Sequence, residues 1–167
     1  MRPLPALAVA TLLTGCGTTL DPALALREAS RQLRCSISSV QARLEPRLPL
    51  ERSLLRVELT LKVENPSRYN LPIQAIQGAL TLDQEGHAYP LAEVASRTPL
   101  DLPPGATGTT RLELQATYAD LKTAWEPLSR TLLQRQPGAW RLKGSATIHL
   151  LGVPVQIPFT STQEAGT

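Results

Sequence analysis

Two cysteines and two histidines are the most reactive side chains in this sequence, and Cys16 stands in the most readable context. It closes the stretch Leu13-Thr14-Gly15-Cys16, behind an apolar run from Leu4 to Leu13 and one positive charge at Arg2. A charged start, a short apolar run and small residues before a cleavage point are the anatomy of a secretory signal. With a cysteine at that point, the pattern reads as a lipobox. The chemistry is acylation: the Cys16 sulfur takes a diacylglyceryl group, residues 1–15 are removed, and Cys16 becomes a lipid-bearing N-terminus with a further acyl chain such as palmitate. The apolar run is shorter than the roughly 20 residues of a permanent membrane span. Two or more acyl chains make a stable anchor, where one is marginal. An ordinary cleaved signal and a buried N-terminal strand are the plainer alternatives.

The remaining reactive residues fall into no such pattern. Cys35 precedes the run Ile37–Val40 and has no second cysteine to pair with once Cys16 is acylated, so it reads as a small buried hydrophobe. His87 and His149 sit on the polar register of strands, which predicts solvated surface. Neither has Cys, His or carboxylate partners at zinc-ligand spacing. Asp83, Glu85 and His87 cluster around a hairpin tip, where such residues collect for turn chemistry alone. No Gly-x-Ser-x-Gly elbow, phosphate loop or dinucleotide fingerprint occurs. Glu58, Glu64 and Glu113 lie on wet strand faces, with Arg56, Lys62 and Arg111 as their expected partners. The expectation is a non-catalytic chain that needs no cofactor and no metal.

The elements that must position these residues are mostly strands. From Leu55 to Glu64, apolar Leu55, Val57, Leu59, Leu61 and Val63 alternate with polar residues, which is a strand with one dry and one wet face. The same alternation runs through Ile76–Asp83, Arg111–Tyr118 and Arg141–Leu150. A short strand is expected at His87–Tyr89 after the turn Gln84-Glu85-Gly86. Val153, Val155, Ile157 and Phe159 form the last strand, and Pro154 and Pro158 place it at a sheet edge. One segment departs from period two. Leu121, Trp125, Leu128 and Leu132 are spaced for one helical face, with Asp120 as the expected cap and Pro137-Gly138 as the stop. Pro127 is expected to kink or split that helix. Trp125 and Trp140 are expected in the core.

Seven or so one-faced strands must bury their dry faces together. The predicted fold is therefore a mainly β, fibronectin-III or immunoglobulin-like antiparallel sandwich, with one helix before the last two strands. The expected organisation is a signal at 1–15, the acylated cysteine and a tether at 16–34, the sandwich at 35–162 and a tail at 163–167. The formal net charge is +3 with 17 Lys+Arg and 14 Asp+Glu spread along the chain. That balance argues against nucleic acid, which asks for a clustered basic face.

Several marks fall in a set order: Val63-Glu64-Asn65-Pro66 closing the long strand, Leu71-Pro72-Ile73, the turn at Gly86, Leu102-Pro103-Pro104-Gly105, Tyr118-Ala119-Asp120-Leu121, Leu142-Lys143-Gly144 and Ile157-Pro158-Phe159. Over residues 36–160 this order resembles the late embryogenesis abundant type 2 family, also called the water stress and hypersensitive response domain. Asn65, Pro66, Pro104 and Gly105 carry the most recognisable part. The resemblance implies the sandwich fold and a link to desiccation, with bacterial members often secreted or lipidated. The marks also have local physical roles. Pro66 ends the strand, and the Asn65 side chain is expected to bond the backbone of its own turn.

Two loops put apolar residues where a turn should be wet: Leu48 and Leu50 between the first two strands, and Leu151 and Val153 near the last hairpin. Such residues either mark a partner site or fold back over the open ends of the sandwich. The expected setting is a cell envelope. Gly17 after the cysteine resembles the pattern of lipoproteins exported to the outer membrane, with the domain facing the periplasm. A monomer is expected, held to the membrane through Cys16. The first reading is a protective lipoprotein acting under water loss. The alternative is an interaction module that docks an envelope protein complex.

Overall fold

The structure is a computed structural model that describes residues 22–150 and 152–165. Cys16 and Leu151 lie outside the described residues. The chain runs α1 (Pro22–Arg31), β1 (Arg34–Glu45), a 3-10 turn (Leu50–Arg52), β2 (Leu54–Glu64), β3 (Leu71–Gln84), β4 (His87–Ser96), β5 (Leu100–Leu102), β6 (Thr107–Thr117), α2 (Trp125–Leu133), β7 (Gly138–Leu150) and β8 (Val153–Ala165). The strands form two antiparallel sheets, β1-β2-β6 and β4-β3-β7-β8, with β5 beside the start of β3. This is the predicted mainly β sandwich, with α2 before the last two strands.

The alternating residues face where period two puts them. Leu55, Val57, Leu59, Leu61 and Val63 are all buried against Leu71, Ile73, Leu80, Leu82, Leu142 and their neighbours on the other sheet. Three bulges interrupt the alternation. One at Ser38 lets Ile37 and Val40 both pack inward although they are three apart. One at Gln74 does the same for Ile73 and Ile76. One at Leu91 breaks the pairing of Leu80 and Thr81 with β4. A bulge shifts the facing of every later side chain by one place, which is why the sequence at His87–Ser96 reads as three residues of strand where the fold has ten.

The sheets close on each other at both edges. β1 packs along β8, where the Ile37 N–H donates to Ser161 Oγ at 2.8 Å. β4 packs along β6, where Thr110 Oγ1 donates to Ser96 Oγ at 3.2 Å. In the middle of the larger sheet, Gly78 faces Gly144 across β3 and β7. A Cβ on Gly144 would stand 2.2 Å from the Gln77 carbonyl oxygen, so the two strands approach at a distance only glycine allows.

The helices differ from the sequence expectation in their starts. α2 begins at Trp125, so Pro127 falls in its first turn, where its missing N–H has no helical partner to lose. Residues 119–124 are turns, not helix. Asp120 therefore caps nothing on α2; its carboxylate accepts from Thr117 N–H at 2.9 Å and from Thr117 Oγ1 at 2.6 Å. The predicted apolar face is real: Leu121 and Leu128 are buried, and Trp125 and Leu132 lie against the core. Trp140 is buried, and Trp125 stacks edge-on against Tyr118 with ring centres 5.2 Å apart. At the N-terminal side, α1 occupies ten residues of the expected tether and buries Ala29 and Ser30. At the other terminus β8 continues to Ala165, through most of the expected tail.

Candidate functional site

The register gives the sandwich two ends. The connection between β2 and β3, the segment 103–106, α1 and the β7–β8 turn share one of them. The β1–β2 loop and the turns before α2 lie at the other. The first end is organised by Asn65, which is 1% exposed. Its Nδ2 donates to the carbonyls of Tyr69 at 2.7 Å, Leu102 at 2.8 Å and Pro103 at 3.1 Å. Its Oδ1 accepts from Ser67 N–H at 3.1 Å and Ser67 Oγ at 2.7 Å. The Ser67 contact is the turn-closing bond expected from the sequence. The reach to residues 102 and 103 is not local, and no spacing rule predicts it.

The other residues that carry the resemblance complete this clasp. Pro66 follows Asn65 and is exposed at the rim. Pro104 lies in the turn, where Ala106 N–H donates to the Pro103 carbonyl at 3.0 Å. Gly105 has φ +68, the left-handed region, and its N–H donates to the Ser67 carbonyl at 3.2 Å. Asn65 N–H in turn donates to the Ala106 carbonyl at 2.9 Å. Two loops distant in sequence are thus joined through one buried amide.

Against this clasp lies α1. A groove of about 580 Å³ runs between the helix and residues 66–69, lined by Leu24, Glu28, Ala29, Pro66, Arg68 and Tyr69. Leu24 is 61% exposed, and the Arg68 guanidinium stands 5.9 Å from the centre of the Tyr69 ring.

Cys35 is half-buried against the core, and burial pushes its thiol up to about 11. That is the inert cysteine expected from its position, because the thiolate is the reactive form. His87 and His149 are exposed. Among the described residues, no group of three or more His, Cys, Asp and Glu side chains is placed to hold a metal ion. Glu58 pairs with Arg111 at 3.5 Å, and Glu64 pairs with Lys62. The Lys62 ammonium holds the Glu64 carboxyl below its ordinary range. Arg56 instead meets Glu45 at 3.3 Å, a partner the sequence did not single out. On the outer face of the smaller sheet, Glu58 stands directly opposite Glu113, and Arg43 opposite Arg56. They line a shallow open depression with mixed charges and no enclosed centre.

Leu48, Leu50 and Val153 do not fold back over the core. Leu48 is 93% exposed, Leu50 40% and Val153 61%. Leu48 and Leu50 are at the end opposite α1, and Val153 is at the α1 end. No helix among the described residues is long and apolar enough to cross a membrane.

No family model matches the sequence, and no curated protein does. Solved structures do show a likeness. A protein from Archaeoglobus fulgidus is 17% identical with a TM-score of 0.45, over 79% of this chain and 98% of that one. A protein from Arabidopsis thaliana is 17% identical with a TM-score of 0.46, over 80% of each chain. A solution structure provisionally named as a late embryogenesis abundant (LEA) protein is 16% identical with a TM-score of 0.44, over 81% of this chain and 71% of that one.

Proposed function

We propose that this chain is a non-catalytic envelope lipoprotein, acylated at Cys16, whose sandwich domain protects its surroundings under water loss. The family half of the reading is supported by Asn65, because one of the four residues that carry the resemblance is also the polar hub of the fold. The anchoring half is carried by the sequence up to Cys16. An outer-membrane position facing the periplasm follows from Gly17. The mechanism is a folded, charged surface held close to the bilayer, where it keeps neighbouring proteins and lipid hydrated and apart.

The test is survival of a deletion strain through drying and hyperosmotic shock, complemented with the intact gene or with Cys16→Ala. Rescue by the acylated form alone supports the reading. Unchanged survival of the deletion strain overturns the protective role.

A second reading rests on Leu48 and Leu50. Two apolar side chains displayed at one end of a monomer fit a contact with an envelope protein partner. Leu48→Asp should leave the domain folded and abolish a stoichiometric crosslink; an unchanged crosslink pattern argues against this contact.

A further inference from the structure

The geometry points to the α1 end of the sandwich as a surface that lies directly on anionic lipid headgroups. This rests on acylation at Cys16 and goes beyond it, since an anchor by itself fixes neither the orientation of the domain nor its contact with lipid.

Distance is the first argument. Helix α1 starts at Pro22, so only residues 17–21 separate it from Cys16. Five residues fully extended reach roughly 18 Å. The helix is not a free spacer, because it buries Ala29 and Ser30 and forms a groove with residues 66–69. The start of α1 is therefore held within about that reach of the acyl chains, and the end of the domain that carries α1 is the end nearest the bilayer.

Chemistry is the second argument. This end displays Leu24 and Val153, each 61% exposed, and Tyr69, which lines the groove with Leu24 and stands 5.9 Å from the Arg68 guanidinium. Exposed aliphatic side chains and a tyrosine beside an arginine suit the boundary between headgroups and acyl chains. Arg27 and Arg68 are exposed and form no ion pair among the described residues, while Arg31 is shared with Glu28 at 3.4 Å. An anionic surface attracts each such free cation, by about fivefold in partitioning per arginine. The opposite end carries Leu48 and Leu50 between Arg47 and Arg52, so charge alone does not choose between the ends; the short connection from Cys16 to α1 does, and it turns the opposite end away from the membrane.

The experiment uses the full acylated chain in vesicles, with Cys35→Ser and one fluorophore at either Val153→Cys or Leu48→Cys. Quenchers are attached to the lipid headgroups. In phosphatidylethanolamine vesicles containing phosphatidylglycerol, the label at 153 should be quenched about twofold or more beyond the label at 48. Phosphatidylcholine vesicles should reduce that contrast, and R27E with R68E should remove it while the protein still floats with the vesicles. Equal quenching at both positions, or a contrast indifferent to lipid charge and to R27E/R68E, overturns the proposal and leaves the anchor intact. Mass measurement of the N-terminal peptide separates the two ideas: a Cys16 without acyl mass overturns the anchoring and, with it, the docking.

Discussion

Asn65 and Leu102 are 37 residues apart in sequence and are joined by a 2.8 Å hydrogen bond from the Asn65 amide to the Leu102 carbonyl. That bond ties the exit of β2 to the end of β5, and the same amide holds the turn between them through Ser67 and Tyr69. Asn65→Ala should cost about 3 kcal/mol, because the Leu102 and Pro103 carbonyls lose their side-chain donor and the Tyr69 carbonyl keeps only Ser67 Oγ. Asn65→Asp is nearly the same shape, yet it replaces the donor with an acceptor facing three carbonyls, and should cost at least as much. Urea unfolding of the three proteins measures both. If Asp is tolerated, the donor role is wrong.

Gly144→Ala should destabilise by about 3 kcal/mol, since its Cβ would collide with backbone that has no room to move. Gly152→Ala is the control. Gly152 has φ +82 and open space around its Cβ position, so only the backbone penalty of about 1 kcal/mol applies. Thermal unfolding of the pair separates close approach from conformation.

Cys35 should resist alkylation. Its thiol is raised from 9.0 to about 11, so at pH 8 its thiolate fraction is about 100-fold below that of an exposed cysteine. Iodoacetamide should modify it slowly in the native protein and at the ordinary rate in urea. Equal rates in both states would place the thiol in water.

Asp120 links pH to stability. The Thr117 hydroxyl and N–H donate to its carboxylate and hold it below its ordinary range. A carboxyl whose folded value is depressed stabilises the fold above its unfolded value, and that contribution fades as pH falls through the folded value. Asp120→Asn should therefore lower the urea midpoint at pH 7, and the difference from the parent should shrink once pH falls below the ordinary aspartate range. Parallel loss above and below that range would assign the effect to geometry alone.

Glu113→Lys should stabilise by about 0.5 kcal/mol, because it turns a like-charge pair with Glu58 into an attractive one. Added salt should shrink the gain.

The parts of the fold legible in the sequence were those where one rule acted alone. β2 alternates without a fault, and every one of its dry residues is buried. β4 was only partly legible, because the bulge at Leu91 puts buried Leu91 and Val94 three apart and no single period describes them. β5 is three residues beside the start of β3, too short to show any period. Pro127 looked like an interior fault because the apolar spacing continues through residues that are turns, while the helical hydrogen bonds begin later. At the clasp, the bond to Ser67 followed from local turn chemistry. The bonds to Leu102 and Pro103 depend on how two loops meet, which no local pattern records.

Each sheet ends where the other sheet's edge begins, with Ile37 bonded to Ser161 along one seam and Thr110 to Ser96 along the other. Edge strands are where folded chains recruit one another into fibres, and Pro90, Pro154 and Pro158 remove further donors from the outer strands. Among the described residues, the bonded seams and these prolines shorten the row of free donors that strand addition needs. Copies crowded together would find fewer places to join strand to strand than two open sheets would offer.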